Sequence, residues 1–174
     1  MNAPRALILC LLTGCGGAPA ETTTTPTGAE PAITESQGDN TEGMALVDGF
    51  LADPLNTDPK PVLTWAMETS AVMVSVDVSL VSAGDPALAK YEKSESLLML
   101  GFIAGNAREQ LRLGVKQDQP LAGVQGMLTV YKALKVQNPD LSSLHCEELL
   151  KHENAGTLTD YVNELTAATG TNTQ

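Results

Sequence analysis

The residues best placed by type to do chemistry lie in "HCEELLKHE". His145, Glu148 and His152 stand at i, i+3 and i+7, within ~80° around a helix of 3.6 residues per turn. Two imidazoles and a carboxylate suit zinc. The spacing is not that of the HExxH zinc helices. The apolar face of the same helix is Cys146, Leu149 and Leu150. The His/Glu stripe sits beside that face, which favours a solvent-facing flank and leaves Zn as the alternative. Cys146 lies on the apolar face and reads as a buried structural thiol, with reactivity or pairing to a partner chain as the other options.

Two further groups carry charge in unusual places. Arg108 and Arg112, one helical turn apart and beside Asn106 and Glu109, make the one concentrated positive spot in an acidic chain. They could hold an anion or a partner peptide, against the plainer reading of a solvated face. Asp77 interrupts the apolar run "VMVSVDVSLVS" and could turn inward to pair with Arg108, Arg112 or a lysine. Motifs for GxSxG nucleophiles, Walker loops, GxGxxG turns, HExxH sites and CxxC pairs are missing from the sequence, so a non-catalytic role is expected.

Composition narrows the partners. Among 174 residues, 21 acids face 10 Lys and Arg, for a formal charge of −11. Such a surface repels phosphate backbones, which argues against nucleic acid. It equally opposes docking on anionic lipid through the protein surface alone. Three cysteines, Cys10, Cys15 and Cys146, are no disulfide framework.

The chain starts with Arg5 and a short apolar run, "ALILCLL", the two leading regions of a secretory signal. The run is too short to span a bilayer, which takes ~20 apolar residues. Leu12-Thr13-Gly14-Cys15 follows. This resembles the lipobox of bacterial lipoproteins: an aliphatic residue, two small residues and the cysteine that receives diacylglycerol before cleavage. An ordinary signal cut near "APA" (18–20) is the alternative. The resemblance implies a signal peptide over 1–14, lipidation of Cys15, and export to a membrane held by acyl chains. Several chains anchor far better than one. Gly rather than Asp at position 16 implies, by the sorting rule of that class, the outer membrane over the inner.

Residues 15–42 carry five acids and no base and are rich in Thr, Pro and Gly. Such a segment buries too little surface to offset chain entropy, and a disordered tether is expected. It would hold the domain tens of Å from the lipid, at up to ~3.1 Å per residue.

"GMALVDGFLAD" (43–53) carries Met44, Val47, Phe50 and Leu51 on one helical face. From 61 to 82 the pattern is mixed. Val72, Val74, Val76, Val78 and Leu80 alternate as in a strand, yet Glu68, Ser75, Ser79 and Ser82 align at helical spacing, and a helix is expected. Asp85-Pro86 predicts the cap and first turn of a long helix ending at Gly114. Its uncharged middle, 97–107, is expected to be buried on most sides. Gly101 and Gly105 would let a neighbouring backbone come close. Pro120 opens the next helix, with Val124, Met127, Leu128, Tyr131 and Leu134 inward, and Asn138-Pro139 closes it. A short helix over 140–156 stops at Gly156. The last, over 157–165, is capped by Thr157 and followed by a disordered tail, 170–174.

The fold class expected is therefore all-α: five or six antiparallel helices over 43–169, after the tether. "LLMLGFIAGNA" (97–107) with "GMLTVYKALKVQNPDL" (126–141) resembles the Rap1a/Tai immunity domain. That resemblance implies a small secreted helical protein that binds and blocks a toxin. The sequence thus points to a lipid-anchored, non-catalytic module that binds an envelope protein, with a metal- or ligand-binding lipoprotein as the alternative.

Overall fold

Two glycines on one helix and one on the next fix the centre of the molecule. In a computed structural model describing residues 37–76, 78–81, 85–91 and 93–170, α4 (Ser94–Leu113) and α5 (Pro120–Gln137) cross in near backbone contact. A Cβ on Gly105 would lie 2.2 Å from the Ala122 carbonyl oxygen, and one on Gly126 would lie 2.2 Å from that of Gly101. Gly101 also meets Val130, while Gly105 meets Ala122, so the two helices run antiparallel. Interhelical approach this close excludes any side chain larger than hydrogen at the crossing.

Around this pair stand α1 (Gln37–Ala52), α2 (Lys60–Glu68), the single turn α3 (Val78–Val81), α6 (Leu144–Ala155) and α7 (Leu158–Gly170). The protein is an all-α helical bundle, as its sequence predicts. Val47 and Phe50 of α1, Phe102 and Ala104 of α4, and Val124, Met127, Leu128 and Tyr131 of α5 are fully buried. Leu149 of α6 and Val162 of α7 close the other side of this core. Trp65 of α2 lies against Gly43 of α1, with its indole Nε1 buried and without a hydrogen-bond partner among the described residues. No helix among the described residues is long and apolar enough to cross a membrane.

The structure departs from expectation at five element boundaries. The helix expected over 61–82 stops at Glu68. Residues 70–76 form no helix and no strand ladder; they run as a strap. Val72 is buried and Val74 and Val76 half-buried, while Met73 and Ser75 are exposed, the period of two of extended chain. Side chains take up the strap's backbone groups at Met73 and Ser75. Met73 N–H donates to Gln110 Oε1 at 2.9 Å, Gln110 Nε2 donates to the Met73 carbonyl at 2.8 Å, and Ser75 N–H donates to Asp118 Oδ1 at 2.7 Å.

The long helix expected from Asp85 starts only at Ser94. Asp85 does cap, but it caps a turn: its carboxylate accepts from Ala87 N–H at 2.8 Å. Lys93, at φ 65°, then breaks the path in the left-handed region. The Ser94 hydroxyl ties this junction by donating to the Leu88 carbonyl at 2.8 Å. Gly114 ends α4 at φ 64°, as its sequence position predicts.

The ends of the remaining helices shift by short lengths. α1 begins at Gln37, inside the stretch expected to be tether. The helix expected from 140 starts at Leu144, where the Ser143 hydroxyl accepts from Cys146 N–H at 3.3 Å. The helix expected to stop at 165 continues to Gly170, and the Thr157 hydroxyl turns back to His152. The signal peptide, Cys15, residues 15–36 of the tether, Asp77 and residues 171–174 of the tail lie outside the described residues.

Candidate functional site

Each expected site residue can now be placed by its contacts. His145 and His152 leave α6 toward different neighbours. His145 Nε2 lies 3.0 Å from the Leu80 carbonyl and so docks α3 on α6. His152 stacks on Tyr161 of α7, ring centroids 3.9 Å apart and planes 6° from parallel. Its Nδ1 lies 2.9 Å from the Thr157 hydroxyl and its Nε2 3.4 Å from Glu148. Glu148 is also paired with Lys151, which holds its carboxyl below the usual range. The three residues do not converge on one point. Among the described residues, no group of three or more His, Cys, Asp and Glu side chains is placed to hold a metal ion.

Cys146 is fully buried, and burial pushes its thiol up to about 11. A thiol so placed is poorly nucleophilic at neutral pH. It packs where α6 meets the end of α5, beside a small polar cluster. Tyr131, buried in α5, donates its hydroxyl to Glu147 Oε1 at 2.7 Å and accepts from Ser143 N–H at 3.0 Å. Lys135 pairs with the same Glu147 oxygen. Lys135 first, and Tyr131 after it, hold the Glu147 carboxyl low. This cluster joins α5 and α6.

Arg108 and Arg112 are both neutralised within the chain. Arg108 Nε meets Asp48 of α1 at 2.5 Å. Arg112 grips Glu109 through two bonds of 2.7 and 2.6 Å, and this pairing holds the Glu109 carboxyl low. The pair does not form a converging anion cradle.

The feature the sequence did not single out is a groove between α2 and α4. It encloses about 400 Å³ and is lined mainly by Pro59, Leu63, Val81, Leu97, Met99 and Ile103, with Lys93 and Glu95 at one edge. Leu63 is 42 % and Met99 40 % exposed, so both present apolar surface to solvent. Met67, one turn beyond Leu63, is 78 % exposed and extends the same edge of α2. Residues 97–107 were expected to be buried on most sides, and Leu98, Leu100, Gly101, Phe102 and 104–107 are buried, with Met99 the exposed exception. α5 packs against the face holding Gly101 and Gly105, and Met99 stays open to solvent. The signal lay in the excess of apolar residues around the whole circumference of α4, more than one neighbouring helix can cover.

No family model matches the chain, no curated protein sequence matches it, and no solved structure matches its fold. The class that the fold defines is an all-α bundle, and the α2/α4 groove is an apolar concavity on its surface.

Proposed function

We propose that the protein is a lipid-anchored bacterial envelope lipoprotein whose helical domain binds a partner protein without catalysing a reaction. The observation that carries the binding half of this reading is the open groove whose walls expose Leu63 and Met99. Concave apolar surface rimmed by polar residues marks interaction sites on proteins of this size. The anchoring half rests on Leu12-Thr13-Gly14-Cys15 and on the acidic Thr/Pro-rich stretch behind it. Acyl chains on Cys15 would hold the protein at the membrane, and the stretch would give the domain reach.

The test has two arms, each on the full chain expressed in a bacterial host. Labelled palmitate is incorporated by the natural chain and lost in Cys15→Ser, which leaves the membrane fraction once uncleaved precursor is excluded. Retention of Cys15→Ser in the membrane overturns the anchor. In the second arm, the double variant Leu63→Asp with Met99→Asp loses the envelope protein that the natural chain retains, while Val136→Asp, at an 83 % exposed position on α5, keeps it. Equal retention by all three overturns the groove.

A further inference from the structure

The strap over 70–76 has two edges, and the bundle uses one of them. In extended chain the N–H and C=O of a residue point to one edge, and those of the next residue point to the other. Met73 directs both groups at Gln110, at 2.9 and 2.8 Å. Ser75, two residues on, directs its N–H at Asp118 at 2.7 Å. The backbone groups of Val72, Val74 and Val76 therefore face the opposite edge, away from Gln110 and Asp118. None of these three valines makes a hydrogen bond among the described residues. Buried backbone groups are nearly always paired, so an edge with no partner in the bundle opens on water. The side chains between agree with a surface position: Met73 is 54 % exposed, and Ser75 is exposed. Residues 72–76 carry no charge and no proline, the features that usually blunt a free edge.

The side chains restrict what can pair there. Residues opposite one another on adjacent strands present their side chains on the same face. An added strand would set every second side chain beside Val72, Val74 and Val76. Val72 is already buried, whereas Val74 and Val76 pack on the core but are only half-buried. Apolar, β-branched residues opposite them would cover the apolar surface they leave open. The residues in between would stand beside Met73 and Ser75 on the outer face. Charge disfavours a second copy of this chain as the occupant, since each copy carries a formal −11.

From this geometry we infer that the strap accepts an extended segment of a partner protein, added as a strand along the free edge of Val72, Val74 and Val76, with its alternate apolar side chains beside those valines. No residue of the strap lines the α2/α4 groove, so this edge and the groove are tested separately.

The probe is a short fluorescent peptide with Val at alternate positions, Thr between them and Lys at both ends. Two twins carry backbone N-methyl groups, one on every Val and the other on every Thr. Paired as inferred, the Val amides donate to the strap and the Thr amides point away from it. Binding to the full chain is followed by anisotropy. Methylation of the Val amides is expected to weaken binding at least about tenfold, and methylation of the Thr amides to leave it unchanged. Hydrogen exchange gives the second reading. In the free protein the amides of Val72, Val74 and Val76 should exchange faster than those of Met73 and Ser75, and the parent peptide should slow all three. Val74→Pro removes the central edge donor and no bond within the bundle, and it should weaken the peptide at least about tenfold while Met73 and Ser75 stay protected. If Met73 and Ser75 lose protection in that variant, the methylated twins on the natural chain decide. Equal binding of the two twins, or no binding of the parent peptide, overturns the inference. So do valine amides as slow as that of Met73 in the free protein. Protection of those amides that rises with protein concentration, without peptide, assigns the edge to a second copy and overturns it too.

Discussion

Gln110 acts toward Met73 as a neighbouring strand would: its side-chain oxygen accepts from the Met73 N–H and its side-chain nitrogen donates to the Met73 carbonyl, at 2.9 and 2.8 Å. One glutamine on a helix thus replaces the partner strand for a length of extended chain. The same nitrogen donates to Asn106 Oδ1 at 2.7 Å, and Asn106 in turn accepts from Gln119 N–H at 3.0 Å and donates to Asp118 at 3.2 Å. Asn106 and Gln110 are both fully or almost fully buried, so the network binds the strap and the 114–119 turn to α4 in a site shielded from water.

Replacing Gln110 with Leu fills the space but removes both part-buried hydrogen bonds to Met73 and one to Asn106. The expected loss is about 1–2 kcal/mol, since a hydrogen bond contributes about 0.5–1.5 kcal/mol net and water can reach part of the strap. Chemical denaturation checks the stability, and hydrogen exchange should speed up at Met73 and Ser75 ahead of the helices. A uniform acceleration across α4 and α5 would contradict the strap as a separately tied element.

The glycine crossing makes a prediction with a built-in control. Gly126→Ala forces a methyl group against the Gly101 carbonyl oxygen at 2.2 Å, and both atoms belong to helical backbone. The helices must separate, at a cost of about 1–3 kcal/mol as in other overpacked cores. Gly49→Ala, in α1 with nothing within 4 Å of the new methyl, should instead stabilise by about 0.5–1 kcal/mol. Thermal melts of the two variants should move in opposite directions.

This contrast also shows which parts of the fold its sequence discloses. Gly101 and Gly105 can be read as a close-packing pair because spacing on one helix is local information. Pro120 and Gly114 likewise punctuate the chain where their own backbone preferences act. The strap cannot be read this way. Val72, Val74 and Val76 carry a strand-like alternation that competes with a helical stripe, and the group that decides between them, Gln110, lies far along the chain. Asp85 and Pro86 predict the start of the long helix, but they open only a turn, and after left-handed Lys93 the helix begins at Ser94. The groove is hidden for another reason: Leu63, Met67 and Met99 look like core residues until it is known which faces α5 covers.

Acid should weaken the junction of α5 and α6. Lys135 and Tyr131 hold the Glu147 carboxyl below its ordinary value in the folded state. A depressed folded value contributes stability that is present above the unfolded carboxyl pKa of about 4.3 and is lost as pH falls through the lower folded value. Stability measured from pH 6 down to 3 should fall in that lower range, and the fall should be shallower in Glu147→Gln. A steeper acid loss in the variant would contradict this role.

Cys146 should resist modification for as long as the domain is folded. Its thiol is buried and raised to about 11, which leaves little thiolate at neutral pH. Reaction with Ellman's reagent at pH 7.5 should follow global unfolding and quicken with added denaturant. Rapid labelling of the native protein would contradict the packing around α6.

Zinc should leave the folded domain unchanged. His145 is engaged with the Leu80 carbonyl and His152 with Tyr161 and Thr157, so neither ring is free to turn to a common ion without breaking those contacts. Melting temperature with and without zinc is the check. A zinc-dependent rise that disappears in His145→Ala would restore a metal role for His145, Glu148 and His152.

A photoreactive benzoylphenylalanine in place of Met99 tests whether a partner protein binds in the α2/α4 groove. The full chain carrying it is expressed in a bacterial host and irradiated in intact envelopes, and cross-linked peptides are mapped by mass spectrometry. The account predicts one recurrent protein adduct at position 99, absent when Leu63→Asp is added and absent when the photoreactive residue stands at Val136. Adducts of equal yield from both positions, or none from position 99, would contradict it.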